Sequence, residues 1–299
     1  MPNKSQEQSK TVTPGRVAFL DGQSELPMLE VCTVWSRAEI YLHGAHVTGF
    51  QKTDEPPLLF MSQCSRYEKG QPIRGGVPLI FPWFGARAGL PAHGLARTSN
   101  WDLKEVAPAA DGSVSVRFGL PPCPEADRLP PFSAEYVVTV NHRLSMKLIV
   151  KNLSPEQAFT FENCLHTYFG IGDATAISIT GLKGAEYLDQ LDNLARKTET
   201  ADAIRISSEV NRVYLNTSGP VEIHDPRLRR KIRVEKQGSL STVVWNPWIA
   251  KAQLMSDFGN DEYQRMVCVE SGNVKSNQIT LPPGQTSVLT VTLSSEPLG

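Results

Sequence analysis

Residues Glu135–Val150 read EYVVTVNHRLSMKLIV. Tyr136, Val138, Val140, Leu144, Met146, Leu148 and Val150 are apolar, and most of the residues between them are polar. A period of two is the signature of a strand with one buried face, because successive side chains point to opposite sides of a sheet. Asn141–Arg143 interrupts the run and supplies the turn of a hairpin. The same alternation recurs outward from here. Val114, Val116 and Phe118 share one face, as do Leu289, Val291 and Leu293 after a Pro282-Pro283-Gly284 turn. Trp35 to Phe50 reads as a second hairpin, broken at His43-Gly44.

Helical signals are sparse. The best opens at Asn246-Pro247, where Asn can cap and Pro can take the first helical position, and runs to Phe258 before Gly259. Pro121 to Pro131 reads as a loop, since strand patterns continue on both sides of it. Many strands and few short helices predict an all-β chain folded as one large antiparallel β-sandwich over residues 16–299. The polar residues 1–15 are expected to form a disordered lead-in with no secretory signal.

Composition narrows the function classes. Of 299 residues, 40% are hydrophobic and 20% charged, as in ordinary globular proteins. The net charge of −1 gives no basis for general nucleic-acid binding. No apolar run approaches the roughly 20 residues that span a bilayer, so no membrane association is expected. Five cysteines (Cys32, Cys64, Cys123, Cys164, Cys268) are scattered without a C-x-x-C, which suits reduced thiols in a cytoplasmic protein.

Four stretches carry chemistry beyond packing. PIRGGVPLIFPWFG (residues 72–85) cannot be a regular central strand, and its Arg74-Gly75-Gly76 suggests a backbone approaching something closely. It lacks the spacing of a phosphate loop. PAHGLART (residues 91–98) places His93 and Arg97 in a short Gly-containing turn; two arginines in such loops suit one dianionic phosphate. Each arginine alone reads equally as a solvated charge.

ENCLHTYFG (residues 162–170) reads as a strand with Leu165 and Phe169 on one face and Glu162, Cys164, His166 and Tyr168 on the other. The second face suits a solvated surface or the floor of a cleft. MVCVESGNV (residues 266–274) sets Glu270 after an apolar run, where a carboxylate is costly unless paired or functional. On the residues alone, a structural histidine is the commoner reading for His166, and a solvent-reaching strand-end carboxylate is as open as a functional one for Glu270.

Together these stretches resemble the hexose-6-phosphate mutarotases (glucose-6-phosphate 1-epimerases), a branch of the aldose 1-epimerase superfamily. The resemblance rests on RGGVPLIFPWFG, HGLAR, ENCLHTYFG and CVESGNV. GLKG (residues 181–184), EVNRVY (209–214) and VVWNPW (243–248) add to it, and the match spans Leu29 to Leu293. It implies a galactose-mutarotase-like supersandwich with a sugar site on its concave face. It also implies His166 as the acid at the ring oxygen and Glu270 as the base at the anomeric hydroxyl.

Arg74 and Arg97 would hold a C6 phosphate, with His93, Ala92 and Asn211 among the substrate-binding positions. Relatives often carry Gln where this chain has Ala92, and Asp where it has Asn211, which bears on substrate preference. No metal, no cofactor and a monomer are expected. The alternatives are an unphosphorylated aldose, a binding-only relative, and a glycosidase using Glu162 with Glu270. A metal pair at His43 and His46 is disfavoured, because on a strand that spacing points the rings apart.

Overall fold

The alternation in residues 135–150 becomes a hairpin. Phe132–Val140 pairs antiparallel with Leu144–Asn152, Val140 lying opposite Leu144 across the Asn141–Arg143 turn. All seven apolar residues of the pattern are fully buried. The structure is a computed structural model describing residues 15–298 except 124, 125 and 127, so residues 1–14 of the expected lead-in lie outside the described residues. The hairpin sits within an eight-stranded antiparallel sheet. Its order is Ser178–Thr180, Val221–Asp225, Arg230–Gln237, Thr286–Pro297, Leu144–Asn152, Phe132–Val140, Val114–Gly119 and Asp102–Pro108. Inward residues are sealed while their outward neighbours are half-buried, the pattern of a sheet with one wet face.

A second eight-stranded sheet runs Ala195–Thr198, Glu186–Asp189, Val210–Leu215, Ser241–Asn246, Met266–Asn273, Asn163–Leu165 and Leu79–Ile80, with Tyr168–Gly170 also on Met266–Asn273. Met146, Leu148, Leu289 and Val291 of the first sheet share one core with Leu165, Val244, Val267 and Val269 of the second, which makes the pair a sandwich. Each such burial stabilises the fold by roughly 1.5–3 kcal/mol. A four-stranded sheet carries the expected hairpin, Ser36–Tyr41 with His46–Lys52.

The second sheet differs from the first in one respect that matters below. Every residue of Ser241–Asn246 and of Met266–Asn273 is buried, so both faces are covered over these two central strands. One face meets the core, and the other lies beneath the Arg74 and Arg97 loops.

Two expectations need correction. The helix after Asn246-Pro247 spans only Trp248–Gln253, with Pro247 as its flanking residue rather than its first turn. Asn246 remains in the strand; its Oδ1 accepts from the Trp248 N–H, but its amide is spent on the carbonyls of Tyr263 and Met266. Among the described residues, no helix is long and apolar enough to cross a membrane.

ENCLHTYFG, in turn, is not one continuous strand. Asn163–Leu165 and Tyr168–Gly170 are separate pieces, and His166 and Thr167 fall in the gap between them. The irregular 72–85 segment is the cause. The N–H groups of His166 and Tyr168 donate to Pro78 O (3.0 Å) and Gly76 O (2.9 Å). Register nonetheless carries through the gap: Leu165 faces Ser271 and Tyr168 faces Cys268, which sets His166 opposite Glu270.

Candidate acid–base site

Residues directly opposite one another in an antiparallel pair have side chains on the same face. Cys164, His166 and Tyr168 therefore share a face with Cys268 and Glu270, and with Trp245, which lies opposite Cys268 on the next strand. This is the polar face expected from the sequence, and Leu165 and Phe169 are in the core on the other side.

On this face His166 Nε2 lies 3.3 Å from Glu270 Oε1. The imidazole stacks on the Tyr168 ring at 4.8 Å and 12°, and the rings of Trp245 and His93 meet it edge-on at 6.0 Å. Three rings thus fix its plane. Glu270 is fixed from behind, where Cys164 Sγ donates to Oε2 at 3.5 Å. The side chain of Glu270 is 1% exposed and that of His166 is 11%, so a ligand meets the imidazole first.

Burial dominates the electrostatics. It pushes the Glu270 carboxyl well above the ordinary carboxylate range, and it pushes His166 well below the ordinary imidazole value, aided by the charges of Arg74 and Arg97. Their 3.3 Å contact works the other way, because ion pairing favours the charged forms. A single proton shared between two such groups can sit on either, which is the property an acid–base pair needs.

Two guanidinium groups stand beside the pair. Arg74 Nε and Nη2 donate to Asp257 Oδ2 at 3.1 and 2.9 Å, and its Nη1 donates to the Tyr168 hydroxyl at 2.9 Å. Burial opposes its charge, but Tyr168 and Asp257 more than offset this and hold its pKa above the ordinary value. The loop bearing it needs its glycines. Gly75 and Gly76 have φ of +115° and +60°, and a Cβ on Gly76 would sit 2.3 Å from Val47 O.

Arg97, on the single 3-10 turn Ala96–Thr98, donates to Ala92 O at 2.8 Å, and its buried Nε has no hydrogen-bond partner. Burial, together with the charge of Arg74, pulls its pKa down to about 10. Among the described residues Arg97 makes no ion pair, whereas Arg74 does. The site thus holds one guanidinium in direct contact with a carboxylate and one that makes no such contact.

His93 adopts φ +65°, with its N–H donating to Gly85 O at 2.8 Å and its Nδ1 accepting from Gly85 N at 3.3 Å. Burial and the charges of Arg97, Arg74 and Lys275 depress its pKa to about 3. The ring is neutral, with Nε2 as its donor. Ala92 has an exposed side chain and contributes its carbonyl to Arg97. Asn211 lies opposite Trp245, hence on the site face, with its Oδ1 accepting from Gln190 Nε2 at 2.7 Å.

The alternatives meet different geometry. Glu162 accepts from the N–H groups of Phe84 (2.9 Å) and Lys275 (2.8 Å), so its carboxylate staples two loops together. His43 and His46 bond separate carbonyls, those of Gln71 and Gly75. Trp83 is sealed in the interior, while Trp245 borders His166. The residues that sequence reasoning missed are Asp257, Tyr168 and the two site thiols, Cys164 and Cys268. Only the parity of ENCLHTYFG hinted at Tyr168 and Cys164, and nothing local marks Asp257. Cys32, Cys64, Cys164 and Cys268 form no disulfide.

Comparison with known proteins identifies the family and the fold. The aldose 1-epimerase family model matches residues 34–294. A protein of Cenchrus ciliaris named "Putative glucose-6-phosphate 1-epimerase" is 35% identical over 269 residues, covering 87% of this chain and 82% of its own. The crystal structure of a "putative mutarotase (YeaD)" from Salmonella typhimurium superposes with a TM-score of 0.84 at 27% identity, over 94% of this chain and 97% of its own. A galactose mutarotase-like protein from Clostridium acetobutylicum shares the fold, with a TM-score of 0.74 at 15% identity over 95% and 99% of the two chains. This chain belongs to the aldose 1-epimerase family.

Proposed function

We propose that the chain interconverts the α and β anomers of a hexose 6-phosphate, glucose 6-phosphate foremost. The observation that carries this reading is the 3.3 Å contact of one imidazole with one carboxylate, flanked by a guanidinium that makes no ion-pair contact among the described residues. Ring opening needs a base at the anomeric hydroxyl and an acid at the ring oxygen, which are neighbouring atoms of the sugar. Glu270 takes the hydroxyl proton while His166 delivers its own to the ring oxygen. The C1–C2 bond of the open aldehyde then rotates, and closure on the other carbonyl face returns both protons.

Each turnover begins with the charged pair and passes through the neutral one. The dry surroundings that push both groups toward neutrality therefore favour the ring-opened stage. Two proton transfers, each contributing about 10²–10⁴ in rate, account for the acceleration. A C6 phosphate would give Arg97 a direct anionic contact and fix which end of the sugar meets His166. The names of the relatives support the same substrate. The free thiols are consistent with a reducing, cytoplasmic compartment.

The test is anomer interconversion of glucose 6-phosphate measured against glucose and galactose. Arg97→Ala is expected to raise KM for the phosphorylated sugar by about tenfold or more, leaving plain sugars unaffected. An unchanged KM removes the phosphate role, and equal turnover of glucose shifts the substrate to the unphosphorylated aldose.

A further inference from the structure

Cys268 lies two residues before Glu270 on the same face and opposite Tyr168, and it is fully buried. It has no part in the proton transfers, yet one donor atom each from His166, Cys268 and Glu270 lie within 4.8 Å of one another. We propose that these three residues form a binding site for a thiophilic divalent cation, zinc(II) by its chemistry, whose occupancy switches off the acid–base pair.

The geometry is close to what zinc requires. With bonds of about 2.0–2.2 Å to nitrogen and oxygen, a tetrahedral ion holds those two ligands about 3.4 Å apart. His166 Nε2 and Glu270 Oε1 are already 3.3 Å apart. A Zn–S bond of about 2.3 Å puts sulfur about 3.6 Å from each of the others, so closure needs an adjustment of about 1 Å. Imidazole, thiolate and carboxylate are the zinc ligand types, and the thiolate selects against magnesium and calcium. Three protein ligands leave the fourth position to water.

Charge also permits the ion. Binding exchanges the S–H bond of Cys268 and the O–H bond of a protonated Glu270 for bonds to zinc, and releases those protons to solvent. The dication is then matched by one thiolate and one carboxylate. Of the two nearby guanidiniums, Arg74 is neutralised by Asp257, and Arg97 is the remaining opposing charge. The ion would occupy the imidazole lone pair and the carboxylate oxygen together, leaving neither free to move a proton. The switching half of this proposal rests on the acid–base reading above; the binding half does not.

Metal-free wild-type protein, C268A, C268S and C64A would be titrated with Co²⁺, following the thiolate-to-cobalt absorption, and with Zn²⁺ by calorimetry. Cys64 is exposed and controls for surface thiols. Wild type and C64A are expected to bind one equivalent and to show the absorption. C268A and C268S should lose the band and weaken Zn²⁺ binding by about tenfold or more. C268S preserves side-chain volume should C268A fold poorly. Undiminished affinity in the Cys268 variants overturns the site. Glucose 6-phosphate anomerisation with Zn²⁺, then with EDTA, tests the switch: reversible inhibition of wild type at the binding concentration supports it, and full turnover with zinc bound overturns it. If metal-free wild type shows no turnover, the functional reading falls while the binding result stands.

Discussion

His166 and Glu270 face each other across two neighbouring antiparallel strands, and their side chains meet at 3.3 Å. They are 104 residues apart in the chain, yet one strand register fixes their separation. Neither reaches the other by a flexible loop.

Removal of either group should therefore abolish most turnover without unfolding the protein. His166→Asn and Glu270→Gln are each expected to lower kcat by about 10²–10⁴, with far-ultraviolet circular dichroism unchanged. Near-full activity in either variant would reject the proton-transfer assignment.

Glu270→Gln should also be more stable than the native chain. A carboxyl whose folded pKa is raised holds its proton in the folded state after the unfolded chain has lost it, so native stability falls as pH rises through that range. The amide carries no such penalty. A gain of about 0.5–2 kcal/mol, growing with pH, is expected from denaturant unfolding. A variant less stable than the native chain at every pH contradicts the burial assignment.

The activity profile should be flat through neutrality. In the proposed mechanism the pair works while holding one proton, and a second proton must go to His166, whose pKa is depressed below the ordinary value near 6.5. The acid limb of kcat/KM therefore lies below about 6.5, and the raised Glu270 moves the alkaline limb upward. An acid limb at or above about 6.5 would show that the imidazole is not desolvated in the free protein.

Asp257 and Arg74 should show strong energetic coupling. Asp257→Asn leaves a largely buried guanidinium without its carboxylate and is expected to cost about 1–3 kcal/mol. In a cycle with Arg74→Met, the double variant should lose much less than the sum of the singles. Additive losses would mean that the two groups do not interact in solution.

The Arg74 loop depends on its glycines. Gly76→Ala meets both a left-handed φ and a Cβ placed 2.3 Å from Val47 O, so a loss of about 3 kcal/mol or more is expected in thermal or denaturant unfolding. A small loss would show that the loop relaxes away from the 46–52 strand.

The sheets were legible because alternation is local: the Tyr136 to Val150 pattern contains its own answer. The site was legible as residue types but not as geometry. His166 and Glu270 stand out in their segments, yet the gap that places His166 is imposed by Gly76 and Pro78, about ninety residues earlier. The Asp257 partnership with Arg74 spans 183 residues, and no period or spacing signals a contact of that range. The short helix failed for a related reason, since distant carbonyls claim the Asn246 amide.

The strand that carries Glu270 is buried on both faces, whereas Arg74, Arg97, His93 and Lys275 come from the connections laid over it or following it. If the proposed roles hold, reaction and recognition are mechanically separable in this molecule. On the proposed reading, redesign confined to the overlying connections is expected to change what the site binds while the His166–Glu270 pair beneath stays intact.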